Sequence, residues 1–144
     1  RGRGRKFVTT RIGSMATKLG FESGYLIAEA GHRDDCDEEL RQSIIQITGN
    51  QFIAGDVHEV VDAVLLWWRD GDGDLVDELV DGLTYLSANG QIWVLTPKAG
   101  RYRHAEPSDI QDAANIAGLS QTSTLAIASD WSATRLVARK SSKR

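Results

Sequence analysis

The sequence has one cysteine, two prolines and no long hydrophobic run. A single thiol, Cys36, excludes an intrachain disulfide and suits a reducing compartment, so a cytoplasmic location is expected. The longest apolar stretch, residues 63–68, has the length of a buried strand. It falls well short of the roughly 20 residues that a membrane-spanning helix needs, so no membrane partner is expected. The basic N-terminal stretch lacks the apolar segment of a secretory signal. Nucleophile-elbow and phosphate-loop patterns are missing as well.

What is present is a chain of 144 residues, 41% hydrophobic and 26% charged, which fits one domain with a real core. The net charge of −3 conceals an asymmetry. Residues 1–18 hold six Lys or Arg and no acid, and residues 135–144 hold five and no acid. The stretch between holds six basic residues against all 20 acidic ones, a net of −14. Residues 1–18, rich in Gly, Arg, Thr and Ser, read as a flexible basic arm, residues 19–140 as a single domain, and 141–144 as a basic tail. Gly13-Ser14-Met15 fits a non-native leader ahead of an initiator methionine as well as it fits a genuine arm.

Along the domain, apolar and polar runs alternate with turn signals. Residues 25–28, 52–54, 60–68 and 92–95 read as strands, and the run at 60–68, apolar on both sides, suits a central parallel strand. Helices are expected after Asp35 or Asp37, ending at Gly49-Asn50; over residues 75–88, ending at Asn89-Gly90; and from Pro107 to Gly118. Residues 122–128 and 134–138 read as an antiparallel hairpin. The pattern predicts an α/β three-layer sandwich: a mostly parallel sheet of about six strands with a C-terminal antiparallel hairpin. The expected order places 25–28 beside 60–68, then 91–96, then the terminal pair.

The stretch VDAVLLWWRDGDGDLVDELVDGLTYLSANGQIWVLTPK, residues 61–98, resembles the later half of a class I methyltransferase domain, a Rossmann-like fold. Leu19-Gly20-Phe21, Trp93-Val94-Leu95-Thr96-Pro97-Lys98 and Asp130-Trp131-Ser132 more specifically resemble an actinobacterial family of unknown function, DUF3052, over about residues 16–140. The methyltransferase resemblance implies S-adenosylmethionine over a glycine turn after the first strand. Here that stretch, Ala28-Glu29-Ala30-Gly31-His32, has a single Gly, and room for one strand is missing. The expectation is therefore a scaffold without its cofactor.

Candidate sites follow from this. A ligand crevice at the strand ends would be lined by Glu29, Gly31, Asp56, Trp68, Arg69 and Asp70. Lys98, Arg101, Arg103 and His104 gather positive charge past the carboxyl end of a strand, where open α/β sheets bind ligands. Trp67 and Trp68 face opposite sides of their strand. Trp131, in a hairpin turn, is a candidate interface anchor. The Asp70-Gly71-Asp72-Gly73-Asp74 loop fails as an EF-type calcium site, because positions 6 and 12 are Leu75 and Asp81; it reads as a turn whose Asp72 or Asp74 caps a helix. His32 and Cys36 lack the further ligands that a zinc site needs. No metal and no catalytic residue are expected. The leading functional expectation is a non-catalytic regulatory or interaction module with an unidentified protein partner. The alternatives are a small methyltransferase, and binding of an anionic ligand or RNA through residues 98–104 and the tails, where charge alone would act weakly and salt-sensitively.

Overall fold

The computed structural model describes residues 16–54 and 59–139. The expected arm lies largely outside these residues; the expected tail and Asp56 lie wholly outside them. Among the described residues six strands form one sheet in the order β2-β1-β3-β4-β6-β5. The strands are β1 (Ile27–Ala30), β2 (Ile53–Ala54), β3 (Val61–Trp67), β4 (Leu86–Pro97), β5 (Leu119–Ala126) and β6 (Trp131–Ala138). The first four run parallel, and β6 pairs antiparallel with both β4 and β5. The three-layer α/β architecture and the terminal hairpin agree with the sequence reading.

Helices α1 (Glu38–Thr48), α2 (Leu75–Thr84) and α3 (Pro107–Ala117) fill the connections. Asp37 caps α1 by accepting from the Leu40 N–H, with Glu38 and Glu39 in the first turn; such a cap stabilises by about 1 kcal/mol. Gly49, left-handed at φ 77°, ends the helix. Asp74 caps α2 in the same way. Alternation along the strands sorts side chains onto two faces. Ala63, Leu65 and Trp67 join Leu40 and Ile44 of α1 on one. Val64, Leu66 and Trp68 join Leu75 and Leu79 of α2 and Ile110 and Ala114 of α3 on the other. Each Val, Leu or Ile among them contributes about 1.5–3 kcal/mol by leaving water, so these two cores hold the fold. Ala16 is fully buried in the first core, so the packed body reaches further toward the N-terminus than residue 19.

Several boundaries differ from the sequence reading: β1 starts at Ile27 rather than residue 25, and β5 and β6 start at Leu119 and Trp131 rather than at 122 and 134. Helix α2 stops at Thr84, and Asn89-Gly90 lies inside β4. Strand β4 starts at Leu86, where a register shift opposite Val61 and Ala63 lets the chain pass directly from helix to ladder. Val60 lies outside β3 and is largely exposed. No helix among the described residues is long and apolar enough to cross a membrane.

Candidate functional site

In an open α/β sheet the crevice lies at the carboxyl ends of two strands whose connections leave in opposite directions. Here those strands are β1, whose chain goes on to β2 on one side, and β3, whose chain goes on to β4 on the other. Loops 31–37, 68–74 and 98–106 rise from the carboxyl ends of β1, β3 and β4.

Arg69 lies across this crevice. It follows Trp67 by two residues, so its side chain leaves on the same side of the sheet. The residue is 1% exposed. Its Nε and Nη2 donate to both oxygens of Asp35 at 2.9 and 2.5 Å, and Nη1 donates to the carbonyls of Gly31 (2.8 Å) and Trp67 (3.2 Å). The guanidinium therefore ties the end of β1 to the end of β3. The Trp131 ring lies 5.3 Å below it and meets Trp67 edge-on at 4.9 Å. The Trp131 Nε1 donates to the Asp35 carbonyl at 3.2 Å.

Asp72 completes the cluster. Its buried carboxylate accepts from Arg33 Nη1 (2.9 Å), Arg103 Nη2 (2.9 Å) and the Arg69 N–H (3.0 Å), with Arg69 Nη1 at 3.4 Å. Burial works to raise its pKa, but these donors outweigh it and hold the carboxyl below its ordinary value. The Arg69 hydrogen bonds hold Asp35 below its ordinary value too, against a smaller effect of burial. Cys36 sits beneath, its Sγ 3.4 Å from Arg69 Nη2; burial raises its pKa, so it lacks the thiolate character of a nucleophile.

The remaining expected site residues divide between this cluster and other places. Gly31 is left-handed at φ 81°, and a Cβ there would collide with the Trp67 carbonyl oxygen. Its missing side chain admits the backbone of β3, not a ligand. Glu29 points under α1, where it is held by Arg41 Nε and Nη2 at 2.6 Å each and by Trp67 Nε1 at 2.8 Å. Trp68 packs on the opposite face. Asp70 offers its backbone: its N–H donates to the Arg103 carbonyl, and its carbonyl accepts from Arg103 Nε. Arg101 pairs with Asp130 at 3.0 Å, both half exposed. His104 turns away and donates through Nδ1 to the Pro97 carbonyl at 2.7 Å. Trp131 is 3% exposed, which overturns its expected place as an interface anchor. The loop tip is short, but its Trp starts β6 and turns inward onto Trp67 and Arg69.

S-adenosylmethionine does not fit the residues found here. The backbones of Gly31 and Trp67 abut, Arg69 fills the space between the strand ends, and Glu29 is committed to Arg41. Among the described residues no three His, Cys, Asp or Glu side chains converge to hold a metal ion. Above the Arg69 cluster lies an open depression lined by Arg33, Asp34, Asp35, Tyr102 and Arg103. Tyr102 stands 88% exposed at its rim. Sequence reasoning missed Arg33, Asp35, Asp72 and Tyr102. The available signal was an arginine closing an apolar strand with acidic residues in both flanking loops.

A family model described as "Protein of unknown function (DUF3052)" matches residues 16–140. An uncharacterized protein of Mycobacterium tuberculosis is 48% identical over 128 residues, covering 89% of this chain and 80% of the relative. An uncharacterized protein of Mycobacterium bovis matches to the same extent. Among solved structures, a TehB-like SAM-dependent methyltransferase from Corynebacterium glutamicum aligns with a TM-score of 0.55 at 14% identity, covering 89% of this chain and 88% of that one. The CcbJ methyltransferase from Streptomyces caelestis aligns with a TM-score of 0.58 at 11% identity, covering 90% and 89%. The pyocyanin biosynthetic protein PhzM aligns with a TM-score of 0.64 at 14% identity, covering 94% of this chain and 58% of that one. At these identities the likeness is one of fold.

Proposed function

The chain belongs to the DUF3052 family, and from that membership and its methyltransferase-like fold we propose that it is a non-catalytic protein-interaction domain. The observation that carries this reading is Arg69, whose side chain lies where the fold would otherwise open a cofactor crevice. A buried guanidinium held by two carboxylates and two carbonyls is a structural fixture. Among the described residues it leaves no nucleophile or activated base at the strand ends.

The interaction face is the rim above the fixture. Arg33, Lys98, Arg101 and Arg103 lie in the loops at this edge, Arg33 and Arg103 paired with Asp72 and Arg101 with Asp130. The Lys98 side chain has no partner among the described residues, and Arg33 is half exposed. Tyr102 beside them offers a large, rigid contact at little entropic cost. Lys98 and the half-exposed Arg33 and Arg101, set around an exposed tyrosine, suit a protein partner that carries carboxylates at matching positions.

A photo-reactive phenylalanine analogue at position 102, introduced in the cells that make the protein, tests this. A discrete protein adduct is expected, lost when Lys98 and Arg101 are both changed to Glu. A nucleic-acid adduct would support anionic-ligand binding instead, and no adduct would contradict the reading.

A further inference from the structure

A second cavity lies on the other face of the sheet, beneath the N-terminus of α3. It is small, about 90 Å³. Its floor is made by Thr96 of β4 and Thr134 of β6, and its walls by Thr124, Ser132, His104 and Ile110. Strand register accounts for the convergence. Val94 pairs with Thr134 and Thr134 with Thr124, while Thr96 pairs with Ser132. Thr96 therefore continues the side of β4 that carries Ile92 and Val94 in the α2–α3 core, and Thr134 continues that of Leu136. Two buried hydroxyls, those of Thr96 and Thr134, thus continue a layer that is apolar further along both strands, with the half-buried Ser132 and the exposed Thr124 beside them.

Two of these hydroxyls are conspicuous. Thr96 is 6% exposed and Thr134 is 7% exposed, and neither hydroxyl has a hydrogen-bond partner among the described residues. Buried polar groups are nearly always paired, because leaving one unpaired costs free energy. Two orphan hydroxyls facing one cavity point to something that occupies it and bonds to them.

We propose that this cavity binds a small, neutral, polyhydroxylated group: the glycerol moiety of a larger molecule, or the diol edge of a pentose. The lining contains no Lys, Arg, Asp or Glu. Glu106 and Asp109 stand at the start of α3, Glu106 within 3.9 Å of His104 Nε2, and their charges oppose an anion there despite the helix N-terminus. Threonine and serine hydroxyls each donate and accept, which matches a diol. His104 adds an oriented acceptor. The Pro97 carbonyl can only accept, so Nδ1 carries the hydrogen, and in the neutral ring Nε2 is left to receive one. Ile110 and Ala105 supply the apolar wall for the carbon skeleton. The volume corresponds to about three water molecules, the size of a three-carbon polyol.

Amide NMR of the full chain, titrated separately with glycerol, D-ribose and inorganic phosphate, tests this. Glycerol or ribose should give saturable shifts at Thr96, His104, Ala105 and Thr134. Thr134→Val should weaken that binding about tenfold, the loss of one good hydrogen bond. Thr96→Val provides the same test should Thr134→Val not fold, and the spectrum itself reports folding. Saturation by phosphate alone would overturn the proposal, as an anion site. Only linear drift of amides across the whole protein would overturn it too, since the cavity would then hold water alone.

Discussion

Replacing Arg69 with methionine should destabilise the domain by about 3 kcal/mol, the low end for removing one partner of a buried charge cluster. Methionine matches the length of the side chain but restores none of its donors. Asp35 is about half exposed and can turn to water, so its loss adds little. Asp72 is buried and keeps only Arg33, Arg103 and the backbone N–H of residue 69. The melting temperature should fall by roughly 10 °C for a domain of this size.

The effect should depend on pH. Asp35 and Asp72 are both held below the ordinary aspartate value in the folded chain, by the arginine and backbone N–H donors around them. Folded carboxyls with depressed pKa values contribute stability that is present above the unfolded value and lost as pH falls through the folded one. The gap between parent and variant should therefore be full near neutrality and shrink as pH falls below about 4. Urea unfolding at several pH values measures it. A gap that stays constant into acid would contradict the role given to the two carboxylates.

Gly31→Ala should cost more than about 3 kcal/mol, and it has an internal control. A left-handed alanine costs about 1–2 kcal/mol anywhere. At Gly49, φ 77° with no atom within 4 Å of an added Cβ, Gly→Ala should cost that and no more. At Gly31, φ 81°, the added Cβ also meets the Trp67 carbonyl, which belongs to a buried strand and cannot move cheaply. The two substitutions are chemically identical and differ only in that contact. Equal unfolding midpoints would mean that β1 and β3 do not abut as described.

Much of the architecture was legible in the sequence because it follows from local pattern. The run at residues 60–68 read as a central strand, which β3 bears out over Val61–Trp67, and the Trp67–Trp68 alternation assigned the two faces correctly. Of the cap candidates Asp35 or Asp37 and Asp72 or Asp74, the fold uses Asp37 and Asp74. Boundaries failed where a bulge absorbed a turn signal: Asn89-Gly90 reads as a helix stop, yet it lies inside β4, in the irregularity between the pairings Val61–Leu86 and Ala63–Gln91.

The site was less legible, because its contacts join distant loops. Trp131 bonds to Asp35, 96 residues away, and Arg69 to Asp35, 34 residues away. No local spacing encodes such pairs. From sequence Gly31 could be read as a remnant of a cofactor turn, but its open side faces a strand. The clustered cations at 98–103 were visible, whereas the burial of Trp131 and the exposure of Tyr102 required the fold.

Arg69 closes the crevice between β1 and β3. The most direct test is the melting temperature of the full chain, with and without saturating S-adenosylmethionine or its demethylated product. A bound ligand at about 100 times its dissociation constant adds roughly 2.7 kcal/mol, an upward shift on the order of 5–10 °C. No shift is expected with either compound. A shift of that size would mean that Arg69 yields to a cofactor, and would contradict the non-catalytic reading.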